Sequence, residues 1–206
     1  ELMGQMSFLF PLWQDILGSH FTLNASYTQL MFWQVYSKSP FFRETNYEPR
    51  LFISWPFHKG WLLNIGVDHQ SNGRGGVYPD GMERSWNRVF ADLAFSGESW
   101  MVICEPWAPI LTRWSSDLHN PDITDYLGYG RVVFAYKFHQ QEVSIVLRHA
   151  FKGDFSRGAF QLGYEFPLFG KLSGYIQWFS GYGQSLIEYN HYTNTLGFGV
   201  ALSNWI

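Results

Sequence analysis

The chain has 206 residues, of which 20% are aromatic and only 15% charged, with a net charge of −3. This excludes a disordered chain, which is poor in aromatics, a helical membrane span, since no run of about 18 residues is apolar, and a disulfide framework, since there is one cysteine. It gives no electrostatic case for nucleic acid, and 20 Gly with 9 Pro argue against a helical bundle.

What remains is an all-β chain, read as one domain over 1–206. Turn signals bound runs that alternate with period two. The pattern predicts about twelve strands: 5–16, 21–37, 46–57, 59–71, 83–96, 99–111, 124–138, 141–151, 156–167, 170–181, 184–191 and 193–205. Short turns at Lys152-Gly153-Asp154 and Phe169-Gly170 contrast with longer polar loops near 38–45, 72–83 and 112–123. Outer-membrane barrels are built with short turns at one end and long loops at the other, and an even strand count closes the sheet without edges. No signal peptide is read at Glu1-Leu2-Met3-Gly4. An exported barrel would have lost one, and a cytosolic protein would never have had one.

The alternation is consistent along the chain. Phe160, Leu162, Tyr164 and Phe166 oppose Gln161, Gly163 and Glu165; Val132, Phe134, Tyr136 and Phe138 oppose Arg131 and Lys137. A soluble sandwich would turn the apolar face inward, and a membrane barrel turns it to lipid. Aromatics near strand ends (Trp55, Trp107, Trp114, Trp178, Tyr182, Trp205) favour the barrel. The inward set then carries Arg88, Asp92, Glu105, Arg131, Arg148, Glu165 and Glu188. These charges either line a pore or pair and plug the lumen among bulky partners such as Trp86 and Phe90.

Polar residues that break the apolar face are the informative ones. Trp61, Leu63, Ile65 and Val67 are followed on the same face by His69 and Ser71. In an antiparallel hairpin with the next strand, Asn87 comes near His69. Residues two apart on a strand lie about 7 Å apart on one side. A histidine base, a serine nucleophile and a group fixing the imidazole tautomer form the general triad arrangement. A nucleophile facing lipid has the lipid ester as its obvious substrate. The plainer alternative is that His69 and Ser71 are polar residues marking a strand end at the membrane rim. Gln29 is a second breach, amid Leu23, Ala25, Tyr27, Met31 and Trp33. A carboxamide in hydrocarbon needs a partner, which suggests a subunit interface.

At these residues the chain resembles bacterial outer-membrane phospholipase A. The resemblance is carried by His69-Gln70-Ser71-Asn72-Gly73-Arg74, Arg84-Ser85-Trp86-Asn87-Arg88, Phe42-Arg43-Glu44-Thr45-Asn46-Tyr47-Glu48-Pro49, Ser26-Tyr27-Thr28-Gln29, Asn120-Pro121-Asp122-Ile123-Thr124 and Ser180-Gly181-Tyr182-Gly183-Gln184-Ser185-Leu186-Ile187. These run in the family's order through nearly the whole chain. The resemblance implies a twelve-stranded barrel of the bacterial outer membrane that hydrolyses acyl esters of phospholipids and lysophospholipids, uses calcium and is active as a homodimer. It implies Ser71 as nucleophile, His69 as base, Asn87 as its orienter, the Gly73 N–H as an oxyanion donor and Gln29 at the dimer interface.

For calcium, the resemblance points to the carbonyl of Arg74, a hydroxyl position occupied here by Glu83, and the carbonyl of Ser39 of the partner subunit. Asp80 matches a further acidic position. The loop between Arg74 and Asp80 is about four residues longer than the family's. Glu83 would be a charged, hard oxygen ligand of the kind calcium accepts; as a plainer reading, Glu83 and Asp80 are solvated loop carboxylates. The family's segment ahead of the first strand is expected to be absent or removed. A passive porin and a catalytically silent barrel with an altered 72–83 loop are the competing readings. His20, His58, His119, His139 and His191 fall in or near turns, Cys104 reads as a small lipid-facing residue, and Gly73-Arg74-Gly75-Gly76 lacks the following helix of a phosphate site.

Overall fold

The computed structural model describes residues 1–74, 81–110, 120–151 and 156–202. Eleven strands follow one another: β1 (Leu2–Trp13), β2 (Thr22–Gln34), β3 (Phe41–His58), β4 (Trp61–Ser71), β5 (Ser85–Ser96), β6 (Trp100–Pro109), β7 (Gly130–Phe138), β8 (Gln141–His149), β9 (Gly158–Phe169), β10 (Leu172–Tyr182) and β11 (Tyr192–Ala201). Each pairs antiparallel with its neighbour in sequence, giving a single sheet in the order β1 to β11. Among the described residues no ladder joins β1 to β11.

Burial settles which face is which. Along β4 and β5, Ile65, Val67, Val89 and Leu93 are exposed, whereas Asp68, Trp86, Arg88, Phe90 and Asp92 are buried. Glu105, Glu142 and Glu165 are buried on later strands, while Val132, Leu147, Phe198 and Val200 face out. An inside-out pattern of this kind, apolar to the exterior and charged to the interior, is that of a wall standing in lipid.

The interior is filled by ion pairs. Arg88 Nε meets Asp68 at 2.7 Å and its Nη2 meets Glu48 at 3.1 Å. Arg50 reaches Glu105 at 3.3 Å, Asp92 at 3.6 Å and Asp68 at 3.8 Å, and Arg131 reaches Glu105 at 2.9 Å. Rings add to the plug: the Arg50 guanidinium lies 3.6 Å from the Phe90 centroid, and that of Arg88 4.2 Å from Trp86. Between a charge-lined pore and paired charges, the structure shows pairing.

Two expected strands differ. The segment 184–191 is a run of bends and turns rather than a twelfth strand. Its buried members, Ser185, Leu186 and Tyr189, do not follow a period of two. Its backbone N–H groups are met by side chains: Leu186 N donates to Asn46 Oδ1 at 3.2 Å and Ile187 N to Glu44 Oε1 at 2.8 Å. Glu188, expected on an inward strand face, instead pairs with Arg43 at 3.0 Å. The expected strand 124–138 begins with a helical turn, α1 (Thr124–Leu127), and becomes strand only at Gly130, after Gly128 turns at φ 69°. Both segments fold into the loop end of the sheet, where Leu186, Tyr189, Ile123 and Leu127 pack with Trp86, Phe90 and Trp107. The turn at Lys152-Gly153-Asp154, Trp114, Trp205 and His119 lie outside the described residues.

Candidate active site

The site sits on the outer face of β4 and β5. The register pairs His69 with Asn87 and Ser71 with Ser85. Asn72 N donates to Arg84 O at 3.0 Å, so 72 and 84 form a hydrogen-bonded pair. Pairs alternate in an antiparallel ladder, so His69/Asn87 and Ser71/Ser85 are the non-hydrogen-bonded kind, whose side chains lie closest. His69 Nδ1 and Asn87 Oδ1 are accordingly 2.8 Å apart. An amide oxygen can only accept, so Nδ1 is the donor in this contact, which in the neutral ring makes Nε2 the acceptor.

Ser71 follows two residues along on the same outer face, half-buried beside Tyr47, its partner on β3. Among the described residues no hydrogen bond joins Ser71 to His69; such contacts tighten when substrate binds. Gly73 has φ 63°, and an added Cβ would lie 2.7 Å from the Tyr47 ring. Both the left-handed backbone and the close ring require glycine there. A depression of about 390 Å³ borders His69 and Asn87, with Pro49, Leu51, Val67 and Ile110 among its lining residues.

The loop after Ser71 is closed at its neck by Asn72. Its Oδ1 accepts from Arg74 N at 3.3 Å and from Arg84 N at 3.1 Å, and its Nδ2 donates to Met82 O at 2.7 Å. This brings the backbone at Arg74 alongside that at Glu83 and Arg84. Glu83 is half-buried. Ser39 is exposed on the β2–β3 connection, and its carbonyl accepts from Ser37 Oγ at 2.6 Å. Asp80 lies outside the described residues. Among the described residues no three His, Cys, Asp or Glu cluster as a metal site. Gln29 lies outward in mid-β2, opposite Met6 and Tyr47, and its Oε1 accepts from Tyr27 OH at 3.0 Å.

Residues 1–202 match the family model described as phospholipase A1. The chain belongs to the phospholipase A1 family. Phospholipase A1 of Klebsiella pneumoniae is 38% identical over 212 residues, covering 99% of this chain and 71% of the relative. That of Escherichia coli K12 is 37% identical over the same length, covering 70% of the relative. Outer membrane phospholipase A from Escherichia coli superposes with a TM-score of 0.88 at 36% identity, covering 99% of this chain and 84% of the other. The Salmonella typhi outer membrane phospholipase, solved as a dimer with bound calcium, gives 0.85 at 37%, covering 96% and 77%. The sheet is therefore the wall of a bacterial outer-membrane barrel, and the phospholipase A1 family supplies the enzyme class.

Some residues that build the site were not assigned a role from sequence. Asn72 was read only as part of a motif, and Tyr47, which walls Gly73, likewise. Asn120 was read in the same way, yet its side chain grips the start of β5. At the loop end, Tyr189 OH donates to Asp122, and burial, reinforced by that carboxylate, pushes the phenol pKa up.

Proposed function

We propose that this phospholipase A1 family member is a calcium-dependent serine hydrolase that cleaves acyl esters of phospholipids and lysophospholipids at its outer wall, as a homodimer. The observation that carries the reading is the His69–Asn87 contact of 2.8 Å on a face otherwise turned to lipid. Ser71 Oγ attacks the ester carbonyl carbon and passes its proton to His69 Nε2. Asn87 holds the ring in the tautomer that makes Nε2 the base, without offering the negative charge of a carboxylate. The Gly73 N–H donates to the developing oxyanion. As the C–O bond breaks, His69 returns the proton to the leaving oxygen. Water then hydrolyses the acyl-Ser71, again with His69 as base. The depression beside His69, with Leu51, Val67 and Ile110 among its lining residues, suits an apolar chain entering from the bilayer.

The donor set fits calcium. The Arg74 carbonyl and Glu83 would supply hard oxygens from the two chain segments that Asn72 ties together through Arg74 N and Arg84 N, and the carbonyl of Ser39 of the partner subunit would complete the set, with Asp80 as a further acidic candidate. When bound, calcium supplies positive charge near the oxyanion. The Salmonella typhi dimer with bound calcium supports both the metal and the dimer, and the outward, mid-strand position of Gln29 supports a role for it at a dimer interface.

The test is phospholipid hydrolysis in detergent micelles, with calcium and with chelator, for the wild type and Ser71→Ala. Calcium-dependent turnover lost in the variant is expected. Turnover retained by Ser71→Ala overturns the nucleophile, and none by the wild type at any calcium concentration leaves a silent barrel.

A further inference from the structure

We propose that Asn120 is a positioning residue for this reaction: its carboxamide bonds the β5 backbone at Ser85 as a neighbouring strand would and so holds Asn87 against His69. The inference rests on the hydrolase reading above.

Because Asn72 and Arg84 bond across the β4–β5 ladder, the N–H and C=O of Ser85 and Asn87 point the other way, toward β6. At Asn87 that need is met, since Ile110 N donates to Asn87 O at 2.7 Å. The described strand β6 ends at Pro109, and both backbone groups of Ser85 are met by Asn120. Its Oδ1 accepts from Ser85 N at 3.2 Å and its Nδ2 donates to Ser85 O at 3.0 Å. One carboxamide thus presents the donor–acceptor pair of a strand residue. Only Asn and Gln carry an N–H donor and a carbonyl acceptor on one planar amide, the pairing a backbone residue offers.

Asn120 is itself buried and anchored. It is 5% exposed, and its carbonyl accepts from Ile123 N at 3.2 Å at the head of α1. Ile123 and Leu127 of that turn pack with Trp86, the residue between Ser85 and Asn87. The loop-end plug therefore reaches the catalytic strand through one amide. Without it, the N–H and C=O of Ser85 lose these two bonds, and β5 frays two residues before Asn87. An ångström of misplacement at an orienting group costs on the order of 100-fold in rate.

The test compares kcat, KM and the calcium midpoint of full-length protein in micelles for Asn120→Ala, Asn120→Asp, Asn87→Ala and the Asn87/Asn120 double alanine variant. Ser71→Ala checks the underlying site. Asn24→Ala is the structural control: it is 6% exposed, and its Nδ2 bonds Ser54 Oγ at 2.8 Å toward the opposite end of the sheet. For Asn120→Ala, kcat is expected to fall about 10- to 100-fold with KM and calcium midpoint within about twofold. Asn24→Ala is expected to keep kcat. Asn120→Asp keeps the acceptor but turns a carboxylate oxygen toward the Ser85 carbonyl, so its kcat should fall at least as far, and it serves if the alanine variant fails to fold. In the Asn87→Ala background, removing Asn120 should cost nothing further, because it acts through Asn87. Wild-type kcat in both Asn120 variants, with Ser71→Ala inactive, overturns the positioning role alone, as do losses that multiply in the double variant. Turnover retained by Ser71→Ala overturns the site reading itself.

Discussion

The two faces of the β4–β5 hairpin use neighbouring residues for opposite ends. Inward, Asp68 pairs with Arg88 at 2.7 Å and Gln70 Oε1 accepts from Trp86 Nε1 at 2.8 Å. Outward, one residue along on each strand, His69 meets Asn87 and leaves a ring nitrogen free to act as base. The inner polar groups are spent on each other; the outer ones are held but not exhausted. Because side chains alternate with a period of two, a register slip of one residue would carry the acids and arginines to lipid and the proposed triad into the lumen. The inner pairs therefore specify the register that the outer chemistry needs.

That division can be broken most severely at Ser71. Ser71→Ala should lower kcat by about 10⁶-fold, as loss of the nucleophile does in other triads, while the barrel stays folded. The matching inward change, Arg88→Met, should cost about 3–5 kcal/mol of stability, because Asp68 and Glu48 lose their closest cation in a buried setting. Urea unfolding in micelles measures it. The kcat per folded molecule should hold, since Trp86–Gln70 still pins the register; a parallel collapse of kcat would show the faces to be inseparable. At the rim where the faces meet, Glu83→Gln should raise the calcium midpoint by about 10-fold through loss of one ligand charge. An unchanged calcium titration places the metal elsewhere.

Much of this was legible in the sequence because a two-faced strand writes its facing into alternation. Val67 and His69 against Asp68 and Gln70 could be assigned to sides from the text, and the structure agrees. Segment 184–191 was misread because its apolar residues imitate a short strand, whereas its N–H groups are taken by Glu44 and Asn46 from β3, some 140 residues away in sequence. Helix α1 was missed for a related reason: four residues, Thr124–Leu127, are too few to show a helical period. Asn72 and Asn120 were seen only as motif members, because a side chain that substitutes for backbone leaves no periodic trace. Their role depends on which backbone groups they meet and how the 72–84 pair is bonded, and both are tertiary facts.

The smallest expected effect lies on the outer face away from the triad. Gln29 faces lipid in mid-β2, with its oxygen accepting from Tyr27 OH at 3.0 Å on the same face. Side-chain hydrogen bonds within bilayers contribute about 0.6 to 1.7 kcal/mol, because the separated state also finds partners. Gln29→Ala should therefore weaken the dimer by about 3- to 20-fold, read by energy transfer between labelled protomers in micelles with calcium. If dimerisation completes the calcium site, turnover should fall in the same proportion at low protein density and recover as density rises, which a damaged active site would not do. Unchanged association would place the interface on another part of the wall, and Gln29 would then be satisfied within its own strand by Tyr27.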